Sequence, residues 1–190
     1  IFDTPRLLKF IHYLKYVVNK IYCTLRNLRI SSDSVPTSTK LMLVKQLIVP
    51  FINYFVVVYP KLDFHSLNTL SVTLNNCTRF IYGIKRYDHL SHYKFEILGC
   101  SLENYFKIRS CIFLHNIIHN KTPSYLYNKL EWGSSRRCNN LNIPKFNFLN
   151  SSRLFFVQAT RNWNFLPVEI KNISSKPLFK KSSSMFFKNT

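Results

Sequence analysis

Leu8, Ile11, Leu14, Val18, Ile21, Leu25 and Leu28 recur at intervals of three and four, a spacing that lines up one side of a helix and suits no strand. Thr4-Pro5 ahead of the run supplies an N-cap and first-turn pair. The polar stretch from Ser31 to Pro36 supplies the stop. At ~100° per residue, Lys9 and Lys20 fall opposite the apolar stripe, while Lys15 and Arg26 flank it. A chain that opens this way has to bury a long helical face, which requires further helices or a sheet to cover it.

The sequence that follows supplies helices. A second is expected from Thr37 to Val49, where Pro50 kinks or restarts it through Phe51, Ile52, Tyr54 and Phe55 to Tyr59. Leu67, Leu70, Leu74, Cys77 and Ile81 mark a third, with Gly83 placed for a left-handed C-terminal cap. Ser91 to Leu98 reads as a short helix closed by Gly99. Ser101 then caps a longer one through His119, and Thr122-Pro123 starts a short helix carrying Tyr125, Leu126 and Leu130. Past Trp132-Gly133 the pattern loosens. Ser134 to Asn142 reads as a linker and Phe146 to Ala159 as extended or irregular, with room for short strands. Pro167 to Ile173 gives one or two helical turns, and Lys176 to Thr190 either a short basic helix or a frayed end. The expected fold is mainly α: a bundle of about five to six helices over 1–132, followed by an irregular basic segment over 133–190.

Charge narrows the partners. Twenty-seven Lys and Arg against eight Asp and Glu leave +19, which favours a polyanion because each phosphate contact releases counterions. AT-rich coding would enrich Asn, Lys, Ile, Phe and Tyr without any selection for charge, but it does not account for ten arginines. With glycine only at Gly83, Gly99 and Gly133, phosphate-cradling glycine loops are excluded. Cys23, Cys77, Cys100, Cys111 and Cys138 form no Cys-x-x-Cys pair, and an odd count fits a reducing compartment, cytoplasm or nucleus. The chain begins at Ile1 with no signal-like run, so a fragment of a longer protein is expected. The most apolar stretch, Leu47 to Tyr59, is too short to span a bilayer and is interrupted by Pro50 and Asn53, so no membrane span is expected.

Two-metal nucleotidyl transfer requires carboxylates close enough to clamp both ions. Asp3, Asp33, Asp63, Asp88, Glu96, Glu103, Glu131 and Glu169 are scattered singly, and the segment is not expected to be an enzyme on its own. Cys111, His115 and His119 stand at i, i+4 and i+8 of one expected helix, and Cys100 or His92 would complete a metal site. The histidines also share an apolar face with Ile108 and Ile112, which favours core histidines. The basic residues carry the binding expectation. Lys20, Arg26 and Arg29 on the first helix, Arg79, Lys85 and Arg86 at the end of the third, and Arg136, Arg137, Lys180 and Lys181 beyond lie among aromatics such as Tyr22, Phe80, Tyr82 and Tyr87. Cations neutralise phosphates, and exposed rings stack on bases. Trp163, Leu166 and Pro167 read as packing anchors, a buried hinge pinning the tail.

The run Ala159-Thr160-Arg161-Asn162-Trp163-Asn164-Phe165-Leu166-Pro167-Val168-Glu169-Ile170, followed by Phe179-Lys180-Lys181, resembles the end of reverse transcriptases from non-long-terminal-repeat retrotransposons of the jockey-like type. Further similarities precede it in family order: His12-Tyr13-Leu14 with Leu25-Arg26-Asn27-Leu28, Leu47 to Tyr54 around Pro50, Cys77 to Gly83 with Arg86, and Thr122-Pro123-Ser124-Tyr125-Leu126. One departure is Tyr59, where the family has Trp. The resemblance implies the thumb and C-terminal region of such a polymerase, gripping an RNA and DNA template-primer duplex through phosphates. It also implies upstream fingers and palm of the same polyprotein, whose magnesium ions are held outside this segment; no cofactor is expected in the segment itself. Readings from other classes are a basic module on a membrane surface or a protein scaffold, and a decayed element without activity.

Overall fold

The computed structural model describes 4–32, 34–93, 95–133, 139–144 and 154–188, with backbone alone at 4–11 and 61. Over those residues the chain is mainly helical. The one pairing of extended backbone among them is an isolated antiparallel bridge between Trp132 and Leu141. Contacts divide the chain into two compact units, Ile1–Phe55 with Leu62–Ser101 and Val56–Lys61 with Leu102–Thr190.

The first unit is built on α1 (Thr4–Ile30). Leu14, Val17, Val18, Ile21 and Leu25 are buried, and α1 packs against α4 (Phe64–Tyr82), which buries Leu70, Thr73, Cys77, Phe80 and Ile81. A polar tie runs between these helices, where Asn76 Nδ2 donates to Tyr22 Oη at 2.9 Å. Asp63 caps α4 by accepting from the Ser66 amide at 3.0 Å, and the Ser66 hydrogen bonds hold its carboxyl below the usual range. Gly83 ends α4 at φ 66°, a left-handed conformation that a side chain strains. Pro50 restarts the helix as expected: α2 (Thr37–Leu47) gives way to α3 (Val49–Asn53) and a 3-10 turn at Tyr54–Val56. Between Ser91 and Leu98 the structure departs from the expected helix. Only a 3-10 turn at Ser91–Tyr93 forms, with turns at 95–98. There Tyr82 stacks on Tyr93 at 4.1 Å and bonds to Glu96, side-chain ties that take the place of helical regularity.

In the second unit α5 (Leu102–Asn120) is central, with Phe106, Ile108, Cys111, Ile112, Leu114, His115 and Ile117 buried. Those positions point to nearly every side of the helix, as a helix covered all round requires. Tyr59 stacks on Phe106 at 4.6 Å. The short α6 (Ser124–Tyr127), α7 (Phe155–Phe165) and α9 (Lys176–Lys188) all pack on α5, and α8 (Val168–Lys171) packs on α9. The compact units therefore do not share the compositional boundary at Trp132/Gly133. Where the sequence suggests an extended segment ending at Ala159, the described part from Phe155 is helical. Phe155, Phe156 and Val157 favour strands locally, but burial of Val157, Thr160 and Trp163 at intervals of three overrides that preference. The remainder of that segment, 146–153, lies outside the described residues.

Trp163 to Asn172 binds back onto 139–141. Trp163, 1% exposed, donates from Nε1 to the Asn139 carbonyl at 3.1 Å and stacks on Phe179 at 5.7 Å. The Asn164 carboxamide accepts from the Leu141 amide at 2.9 Å and donates to its carbonyl at 2.8 Å. Lys171, 6% exposed, donates to Asn140 Oδ1 at 2.7 Å and to the Asn164 carbonyl at 3.1 Å. Asn164→Asp keeps the shape but replaces the donor with a second acceptor facing the Leu141 carbonyl. It should lower stability by about 1–3 kcal/mol in urea unfolding at neutral pH; an unchanged midpoint would show that this tie contributes nothing.

Candidate nucleic-acid interface

The end of α1 and the last turns of α4 meet beside the Gly83 turn at a depression of about 790 Å³. Arg29, Arg79 and Arg86 all line it, together with Asn75, Asn76 and Phe80, and among the described residues no acidic side chain lines it. The α1–α4 contact explains part of this convergence, because each helix contributes an arginine from its final turns. The turn explains the remainder. Arg79 donates from one terminal nitrogen to the Lys85 carbonyl and from the other to the Asp88 carbonyl at 3.2 Å. The loop also closes on itself through Lys85 N to Asp88 Oδ2 at 3.2 Å and Asp88 N to the Lys85 carbonyl at 3.2 Å. Arg79 thereby holds in place the loop that carries Arg86, whose side chain is exposed.

Two neighbours escaped sequence reasoning. Lys40 Nζ sits 5.7 Å from the Phe80 ring centroid, a cation–π contact at a wall of the depression. Asn75 on α4 also lines the depression and brings a carboxamide to it. Neither carries a signal in isolation, since single Lys and Asn residues are abundant throughout this chain. Below the depression, burial pushes the Cys77 thiol up to about 12 against the opposing pull of Arg29, so it is not a nucleophile at neutral pH. Burial and the Glu96 bond likewise raise the Tyr82 phenol to about 12.

Of the remaining residues named from sequence, none of the described ones lines this depression. Lys20 is nine positions before Arg29, about 180° away around the helix, and sits 5.7 Å from the Tyr16 ring centroid instead. Arg26 is exposed on α1 and Lys85 on the loop, neither lining the depression. Lys180 and Lys181 are exposed on α9 in the second unit. Arg136 and Arg137 lie outside the described residues. Trp163 and Leu166 are buried and Pro167 is half-buried.

Among the described residues no three His, Cys, Asp or Glu side chains come together to hold a metal. Burial raises the Cys111 thiol far above its ordinary range. His115 is 1% exposed; its ring stacks on Phe179 at 4.2 Å and Nε2 donates to the Ile173 carbonyl at 2.7 Å. Nδ1 is buried with no hydrogen-bond partner among the described residues. Burial lowers the imidazole pKa, reinforced by His119 and Lys176 and opposed by the Ile173 bond.

Two outcomes follow from these contacts. Arg79→Lys supplies a point charge that cannot span both carbonyls, so the Lys85 and Asp88 amides should exchange hydrogen about tenfold faster or more; unchanged exchange would show that the loop stands without the guanidinium. Protonated His115 would bury an N–H without an acceptor, so the unfolded chain takes the proton more readily than the folded one. Stability is then full above an ordinary imidazole pKa of about 6.5 and falls as pH drops through that value toward the lowered folded one. The urea midpoint, followed by tryptophan fluorescence, should fall between pH 7.5 and 5.5 in the native chain and less in His115→Phe, and equal losses would contradict the assignment. Comparison of the chain with protein-family models, curated proteins and solved structures gives no match.

Proposed function

We propose that this chain is the nucleic-acid-gripping, helical part of a non-long-terminal-repeat retrotransposon reverse transcriptase, holding an RNA–DNA template-primer duplex through its phosphates. The observation that carries the reading is the meeting of Arg29, Arg79 and Arg86 at one depression whose described lining residues include no acid, on a chain of net charge +19. Guanidinium groups bind phosphate with planar, multiple donors, and phosphate contacts fix the position of a duplex without reading its sequence. The family resemblance of Trp163 to Ile170 and of Cys77 to Gly83 supplies the identity of the parent.

In this reading polymerisation belongs to an upstream palm. In the same reading the magnesium ions of that chemistry are held by the palm. Arg29 and Arg86 are the phosphate ligands, Arg79 positions Arg86, and Lys40 adds positive potential at the edge.

A second reading draws on one observation. Thr37–Val56 is long and apolar enough to cross a membrane by length and composition, and Tyr54 is 65% exposed on it, which suits attachment to an anionic lipid surface. Flotation with anionic vesicles distinguishes the two.

Filter binding to an RNA–DNA duplex over a range of salt tests the proposal. Arg29→Ala with Arg86→Ala should weaken binding and reduce the slope of log K against log salt by about 2. Unchanged affinity and slope, or flotation with vesicles in place of duplex binding, would overturn it.

A further inference from the structure

Resting on that reading, we infer that the Arg29–Arg79–Arg86 depression receives one unpaired nucleotide at the end or overhang of the bound strand. Its volume, about 790 Å³, far exceeds what a phosphate group fills and lies within the ~300–1,000 Å³ range of pockets that enclose whole small molecules. A base stacked inside a duplex is already paired and cannot leave the helix without losing its stacking energy. An unpaired one can enter freely.

The chemistry of the lining matches the parts of a nucleotide. Exposed Arg29 and Arg86 offer charge-assisted donors to the phosphate and flat guanidinium faces to a base. The Asn75 carboxamide, which lines the depression, presents a donor and an acceptor side by side, the pairing that complements a base edge. Asn76 is already tied through Nδ2 to Tyr22 Oη at 2.9 Å, which holds that wall in place. Val72, 45% exposed, supplies the apolar surface against which a ring can lie. With the Arg79 guanidinium anchoring the Lys85 and Asp88 carbonyls, the far wall is formed before a ligand arrives, which lowers the ordering cost of binding.

Fluorescence anisotropy with two RNA–DNA hybrids of equal duplex length, one blunt and one with about four unpaired nucleotides, tests this at a single salt concentration. The native chain should bind the overhang about tenfold tighter, the effect of roughly one stacked base. Val72→Trp fills the mouth of the depression, and Asn75→Ala removes the base-edge contact. Each should bring overhang affinity down to that of the same variant for the blunt hybrid. Equal binding of both hybrids by the native chain would overturn the inference while the duplex-gripping function stands. An overhang preference that survives both substitutions would overturn it as well. Failure of both hybrids to bind would remove the function on which it rests.

Discussion

Cations in this protein outnumber carboxylates by more than three to one, so ion pairing cannot neutralise most of them. A charged group drawn out of water needs compensation, and at two places the compensation comes from neutral oxygen. Lys171 enters the second unit against the Asn140 carboxamide and the Asn164 carbonyl. Arg79 lies along two carbonyls of the loop after Gly83. Other cations, such as Arg26, Arg29, Lys85, Arg86, Lys180 and Lys181, stand exposed. The fold is thus arranged so that its few partly withdrawn cations organise backbone, and its exposed ones remain free for a polyanion.

The Trp-Asn-x-Leu-Pro run gains a physical explanation from the same constraint. Trp163 fills the core and satisfies its indole N–H, Asn164 imitates a strand partner for Leu141, and Lys171 fastens the region with an ammonium. Phe179 then joins His115 and Trp163 in one aromatic stack. The Trp163 to Ile170 part of the resemblance thus lies in residues that build the second unit, whereas its Cys77 to Gly83 part and the proposed binding residues lie in the first.

Much of the helical layout was legible because it depends on periodicity and on punctuation by a few residues. The stripe from Leu14 to Leu25, the Pro50 restart, the Gly83 cap and the helix after Ser101 are all local signals. Where tertiary contacts decide, the sequence was a poorer guide. Phe155 to Val157 favour strands yet form a helix, and Asn139 to Leu141 read as linker yet are tied down by residues more than twenty positions away. The site was legible in part for the same reason. Of the ten basic residues singled out, Arg29, Arg79 and Arg86 line one depression, Lys20 stands about 180° from Arg29 on α1, and Lys180 and Lys181 belong to the second unit. Lys40 and Asn75 owe their places to packing between α2, α4 and α1, which no spacing along the chain reveals.

Ultraviolet cross-linking of the intact chain to an RNA–DNA hybrid, with the joined peptides identified by mass spectrometry, measures the contact surface itself. Cross-links should concentrate in the peptide around Arg29 and in the segment from Val72 to Arg86. Cross-links confined to other parts of the chain, with those two peptides unmodified, would contradict the assignment of this depression as the nucleic-acid surface.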